Sequence, residues 1–300
     1  MRKFLHSIFI VLVLGWSMSF APAADAAVPL PWSTTYNCPD WKQSDGLSEQ
    51  AVNCNGLAGW GGWTTPNGSE EQITAAANFP SGGGGKGQRH WIGDGRNNLS
   101  GGSSVVFTSP QKELWIRWYM RYEFGFQWDP LTHHKWIYVS PHYYVTTSEP
   151  PVVFDWEGWD TASIWTVGGD CAGSNRCAST PGSGWNTVMA SGPLDANGNR
   201  QSDGQWHAYE VHLKLNTPGI ADGVAETWID GIRRISATGI DFIRTGGWTY
   251  LAMAENAGYA ANGRDAYVDY DDVVISTTGY IGPLPTDTLA PAAPSNLTVQ

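Results

Sequence analysis

The sequence predicts an all-β fold, a two-sheet antiparallel sandwich with jelly-roll connections. Short runs alternate apolar and polar residues with the period of a strand, and Gly, Pro and Asn-Gly turn signals separate most of them. No amphipathic stretch of about a dozen residues has helical spacing. About ten such runs in one unit call for two packed sheets.

The chain opens with Met1-Arg2-Lys3, an apolar stretch from Phe4 to Phe20, and the small residues Ala21-Pro22-Ala23-Ala24-Asp25-Ala26. This order reads as a secretory signal over residues 1–26, so the mature protein is expected outside the cell or at its surface, with the periplasm as the alternative. No later stretch is apolar enough to span a bilayer. The sandwich is assigned to residues 27–283. Within it, residues 31–104 are rich in Gly, Ser, Asn and Trp and read as loops and short edge strands. The run from Ser81 to Gly87 reads as a flexible or close-approach loop; it lacks the Lys-Ser/Thr pair and following helix of a phosphate cradle.

Strands become clear from Ser103. Val105-Val106-Phe107 is one, and Glu113 to Phe124 is the most informative. Alternation puts Leu114, Ile116, Trp118, Met120 and Tyr122 on a core face, and Glu113, Trp115, Arg117, Tyr119, Arg121 and Glu123 on a polar, aromatic and basic one. Further strands are expected at Lys135–Val139, His142–Thr146, Val152–Trp156, Ala162–Val167, Gln205–Leu215, Ala225–Ile229, Thr249–Ala254 and Ala266–Ser276. In Gln205–Leu215, Tyr209, Val211 and Leu213 should face the core, and Ala208, Glu210, His212 and Lys214 away from it. Residues 284–300 read as a Pro-rich linker.

The net charge of -11 argues against a nucleic-acid partner. It leaves room for an acidic sugar in a local basic cleft. Seventeen Trp and 12 Tyr suit a polysaccharide partner, because flat rings with polar edges match sugar faces, although most single Trp residues should pack in the core. The four cysteines of an exported chain suggest two disulfides, and the sequence-local pairs Cys38–Cys54 and Cys171–Cys177 are the simplest connectivity. Their spacings match no common zinc pattern. A monomer is expected.

The segment Asp203-Gly204-Gln205-Trp206-His207-Ala208-Tyr209-Glu210-Val211-His212-Leu213-Lys214-Leu215, followed by Glu226-Thr227-Trp228-Ile229-Asp230-Gly231, resembles the paired strands of concanavalin A-like and laminin G-like jelly rolls. Jelly-roll polysaccharide lyases show a similar pair. The closing strand Tyr267 to Ser276 before Ile281-Gly282-Pro283 also resembles the last strand of such domains, so the resemblance covers roughly the second half of the sandwich. It implies the fold more than the activity, since this scaffold serves lectins, hydrolases and lyases. The strand motifs of the well-known alginate lyase family are absent. The end of the chain, Ala290-Pro291-Ala292-Ala293-Pro294-Ser295-Asn296-Leu297-Thr298-Val299, resembles the opening strand of a fibronectin type III domain.

Lyase chemistry on a uronate polymer needs a group to neutralise the carboxylate, a base for the C5 proton and an acid for the departing oxygen. Arg117 and Arg121, with Tyr119 and Trp115, are the expected substrate-binding set, and His212 is a further candidate from its strand. A planar guanidinium matches a carboxylate bidentately, the alternative being that both arginines pair with Glu113 and Glu123. Thr132-His133-His134-Lys135-Trp136-Ile137-Tyr138 resembles the region where jelly-roll lyases carry an inner-strand lysine. Lys135, His134, His142 and Tyr144 are therefore the catalytic candidates. The expectation is a single groove that holds Arg117, Arg121 and Lys135 with His or Tyr between them; placement on opposite sheets would dissolve it.

A glycoside hydrolase reading rests on Asp155-Trp156-Glu157-Gly158-Trp159-Asp160, whose Asp155, Glu157 and Asp160 share the spacing of the Glu-x-Asp-x-x-Glu strand of jelly-roll glucanases with the acid types swapped. A non-catalytic carbohydrate-binding or adhesion module is the stronger alternative. No cofactor is required; Asp269 and Asp271, which share a strand face, are the place considered for a structural calcium ion.

Overall fold

Strand alternation fixes which residues of each run face inward, and pairing between distant runs then builds the sheets. A computed structural model describes residues 27–42, 49–61, 72–92, 101–128, 133–141, 152–157, 164–171, 174–179, 201–242, 246–253, 260 and 262–285. The leader-like residues 1–26 and the fibronectin-like end lie outside them. The strands are β1 (Trp32–Thr34), β2 (Trp41–Lys42), β3 (Glu49–Cys54), β4 (Leu57–Gly61), β5 (Gln72–Thr74), β6 (Gly87–Ile92), β7 (Gly101–Gln111), β8 (Glu113–Tyr122) and β9 (His133–Ser140). They continue as β10 (Val152–Glu157), β11 (Ile164–Cys171), β12 (Ser174–Ser179), β13 (His207–Lys214), β14 (Gly223–Ile229), β15 (Ile232–Ile240), β16 (Trp248–Met253) and β17 (Ala266–Ser276). Among the described residues the helical segments are two single 3-10 turns, Ala75–Ala77 and Pro80–Gly82.

The fold is the expected jelly-roll sandwich. One sheet has nine strands in the order β15-β14-β13-β8-β17-β6-β5-β2, with β1 also pairing to β17. The other has eight, in the order β12-β11-β10-β9-β16-β7-β4-β3. The pairings between named strands are all antiparallel. Two expectations need correction. Residues 31–104 do contain short strands, but β6 is interior, lying between β17 and β5. Neither β12, Ser174–Ser179, nor the nine residues of β15, Ile232–Ile240, were expected as strands; the outer positions of β15 are exposed and mixed in character.

The core lies between the sheets. Leu114, Ile116, Trp118, Met120 and Tyr122 of β8 enter it as alternation requires, as do Tyr209, Val211 and Leu213 of β13. Trp118 stacks on Tyr209 at 5.6 Å, and Trp136 of β9 meets Phe154 of β10 edge-on at 5.2 Å. The Trp136 indole N–H donates to Tyr122 Oη over 2.6 Å, which satisfies a polar edge inside an apolar interior. Replacing one such Trp by Ala would cost about 3–5 kcal/mol.

The Gly-rich run is a close-approach loop: a Cβ at Gly84 would collide with the Thr35 backbone. Lys86 holds the loop by donating to the Cys38 carbonyl over 2.6 Å. Cys38 and Cys54 form the expected disulfide, with Cα atoms 5.4 Å apart. The side chains of Cys171 and Cys177 lie outside the described residues.

Candidate functional site

Two outer sheet faces carry the chemistry-bearing residues. On the nine-stranded sheet, the polar face of β8 points away from the core as its alternation predicts, and β17 beside it brings three aspartates. Arg117 makes an ion pair with Asp272 at 3.0 Å. Asp269 is fully buried and takes Arg89 Nε at 2.8 Å and Arg121 Nη2 at 2.5 Å. Burial pushes the Asp269 carboxyl up, against the two guanidiniums that draw it down. The arginines therefore pair with aspartates of β17 and not with Glu113 and Glu123, which bond instead to His212 and Arg264.

Other members of the expected binding set are also engaged. Tyr119 stacks on Phe79 at 3.9 Å, and its Oη accepts the Leu284 N–H over 2.7 Å. His212 has one ring nitrogen 2.9 Å from Glu113 and the other 2.9 Å from Glu226, and Trp115 stacks on the imidazole at 3.8 Å. The carboxylate of Glu210 receives the backbone N–H groups of Ile281 and Gly282, each at 2.8 Å, which straps the segment after β17 across this face.

The metal expectation does not fit. Asp269 is saturated by two guanidiniums, and Asp271 accepts the N–H groups of Phe79 and Asp272, each over 2.7 Å. Burial raises the Asp271 carboxyl to about 7, which further disfavours the anion a hard cation would need.

On the eight-stranded sheet, β9 departs from simple alternation. Its register with β10 pairs Phe154 with Ile137 and Asp155 with Lys135, so Trp136 is an extra residue. This bulge lets Trp136 and Ile137 both enter the core. It also returns Tyr138 to the face of Lys135, three residues before it. Lys135 Nζ lies 5.7 Å from the centre of the Tyr138 ring. On neighbouring β16, Ala252 pairs with Tyr138 and Tyr250 with Ser140. Tyr138, Tyr250 and Ala252 cluster together outside the main core, packed with Val106 of β7, and are nearly inaccessible. Lys135 remains half-buried on this face.

The single groove expected from the sequence is not formed. Arg117, Tyr119, Arg121, Trp115 and His212 belong to the nine-stranded sheet, and Lys135 and His134 to the eight-stranded one. His134 is fully buried on the core side, in edge contact with Tyr122 and Phe126, so its ring does not reach the Lys135 face. Backbone register sets Asp155 opposite Lys135 and Glu157 opposite His133. Their side chains, and all of His142, Tyr144 and Asp160, lie outside the described residues. Tyr138 and Tyr250 were missed because strict alternation sets Tyr138 on the face opposite to Lys135. The signal that could have found Tyr138 is the apolar pair Trp136-Ile137, which a single pleat cannot bury.

No family model matches the chain, and no curated protein matches it in sequence. Among solved structures it is similar to the alginate lyase Aly36B, with 17% identity over 83% of this chain and 98% of that one and a TM-score of 0.52. A variant of the same lyase in complex with alginate tetrasaccharide gives 16% identity, 84% and 98% coverage and a TM-score of 0.53. The endo-β-1,4-glucuronan lyase of the fungus Trichoderma reesei aligns at 12% identity over 73% of this chain and 95% of that one, with a TM-score of 0.46. At these identities the shared property is the jelly-roll fold.

Proposed function

We propose that this is an exported, polysaccharide lyase-like protein that cleaves an acidic, uronate-containing polysaccharide by β-elimination on the outer face of its eight-stranded sheet. The observation that carries this reading is Lys135 beside Tyr138, 5.7 Å from ammonium to ring centre, on the face that also holds Tyr250. The similarity of fold to an alginate lyase, and that lyase's complexes with alginate tri- and tetrasaccharide, support a uronate polymer as the substrate class.

The chemistry follows from the groups. A cation beside the uronate carboxylate makes the C5 proton acidic enough for a side-chain base. As that proton leaves, its electron pair forms the C4=C5 double bond, the bond from C4 to the glycosidic oxygen breaks, and an acid protonates the oxygen. Lys135 supplies the positive charge, and Tyr138 is the proton carrier beside it. His142 and Tyr144, which follow β9 in the chain, are the remaining candidates for the second proton transfer. Residues 1–26 support export.

A carbohydrate-binding module without turnover is the second reading, favoured by the near-complete burial of Tyr138 and Tyr250. Incubation with a panel of uronate polysaccharides separates the two. Ultraviolet absorbance from unsaturated uronate, lost in Lys135→Ala and in Tyr138→Phe, is the expected result. Binding with neither absorbance nor new reducing ends across the panel would establish the module instead.

A further inference from the structure

The nine-stranded sheet has a second cluster that the lyase reading does not use. Trp115 of β8, Trp228 of β14 and Tyr280 after β17 converge on its outer face, with ring centres 5.7 Å apart for the two indoles and 5.0 Å for Trp228 and Tyr280. Tyr280 is 46% exposed, and both indoles are partly exposed. The rings are also fixed. Trp115 lies nearly parallel to His212, at 8°, and each nitrogen of that imidazole is tied to a carboxylate. Glu226, one of the two, is held in turn by Arg233 at 3.1 Å. Tyr280 is carried by the strap that Glu210 clamps through Ile281 and Gly282. Rigid aromatic rings that need no ordering bind at lower entropic cost.

We propose that Trp115, Trp228 and Tyr280 form a second carbohydrate-binding surface, on the sheet opposite Lys135, that takes a neutral polysaccharide chain. Indole and phenol rings suit the C–H faces of pyranose units, and the charge at the rim sets the class of sugar. Glu113 presents a carboxylate whose side chain is 41% exposed, which accepts hydrogen bonds from sugar hydroxyls and repels a uronate. Glu226 and Arg233 offset each other's charge. The two sheets thus differ in ligand class: an acidic polymer at Lys135, a neutral one at Trp115. This surface stands whether or not the Lys135 face is catalytic.

The test uses the full chain, with neutral hexaoses of glucose, xylose and mannose and a uronate hexamer as probes, read by calorimetry and Trp fluorescence. A neutral hexaose is expected to bind, with affinity falling about fivefold or more in Tyr280→Ala and in Trp228→Ala. Tyr280→Phe keeps the ring and is expected to retain binding, which separates ring stacking from any loosening of the strap. Lys135→Ala is expected to leave neutral binding unchanged, so failure of this surface and failure of the lyase reading are distinguishable. Absence of binding by every neutral hexaose, or binding indifferent to both alanine variants, overturns the proposal. Tighter binding of the uronate hexamer, lost in Tyr280→Ala, overturns the ligand class.

Discussion

On the outer face of the nine-stranded sheet, Arg89, Arg117 and Arg121 each meet an aspartate of β17, whereas on the eight-stranded sheet Lys135 lies beside the ring of Tyr138. The first arrangement satisfies cations within the fold. The second sets a lysine beside an aromatic ring, 5.7 Å from ammonium to ring centre. Basic residues on a strand are therefore a poor guide to a ligand site until their partners are known. Arg121 and Asp269 are 148 residues apart in sequence, and nothing local to β8 announces the pairing.

The sharpest way to break this comparison is to remove Lys135. Lys135→Ala is expected to lower β-elimination by about 10²–10⁴-fold with little change in melting temperature, measured by unsaturated product and by calorimetry. A loss of stability without a loss of turnover would reverse the roles of the two faces.

The paired face should respond in the opposite way. Asp269→Ala leaves the half-buried Arg89 and Arg121 without their shared buried partner, and is expected to cost about 3 kcal/mol in denaturant unfolding. An unchanged midpoint would mean that these arginines are not held by folding and are available to a ligand after all.

Titration sharpens the comparison further. Asp203 and Asp230 raise the His207 imidazole to about 9, outweighing the burial that alone would lower it. A raised histidine pKa stabilises the fold fully below its unfolded value of 6.5, and that contribution is lost as pH rises through about 9. With Asp230 partly exposed, the effect should be on the order of 2 kcal/mol. Asp271 adds a slope of the same sign at lower pH. Its carboxyl, raised by burial from 3.8 to about 7, holds a proton in the folded state that the unfolded state releases, so stability falls as pH rises across that interval. Between pH 4 and 6.5 the buried His90, lowered to about 4, contributes a slope of the opposite sign, so the two groups oppose each other there. Melting temperatures should therefore decline from pH 7 to 9, an effect that His207→Gln flattens, and Asp271→Asn should make the curve between pH 4 and 7 more steeply rising. A curve that rises above pH 7, or a lower interval unchanged in Asp271→Asn, would contradict the corresponding assignment.

The smallest effect is expected at the rim of the nine-stranded face. Glu113→Gln disturbs a hydrogen bond to His212 whose carboxylate side chain is 41% exposed, and should change stability by less than about 1 kcal/mol, since solvent screens such contacts. A larger loss would mean that the His212 bridge carries the stacking of Trp115.

Much of the fold was legible along the chain. The core faces of β8 and β13, the disulfide between Cys38 and Cys54, the close approach in the Gly-rich loop and the two-sheet architecture all follow from alternation, spacing or turn chemistry acting over a few residues. The candidate site was legible only in part. Lys135 could be singled out, but Tyr138 was hidden by a one-residue bulge, and a bulge is visible only against the partner strand.

Local periodicity tells each strand which side is inward, because that depends on the pleat alone. It cannot tell a strand which sheet it joins, because hydrogen-bonding edges are alike in every strand. Membership is settled by long-range pairing, here β8 with β13 and β17, and β9 with β10 and β16. That pairing set Arg117 and Lys135 on opposite sheets, and gave the arginines to aspartates of β17 and the lysine a place beside Tyr138.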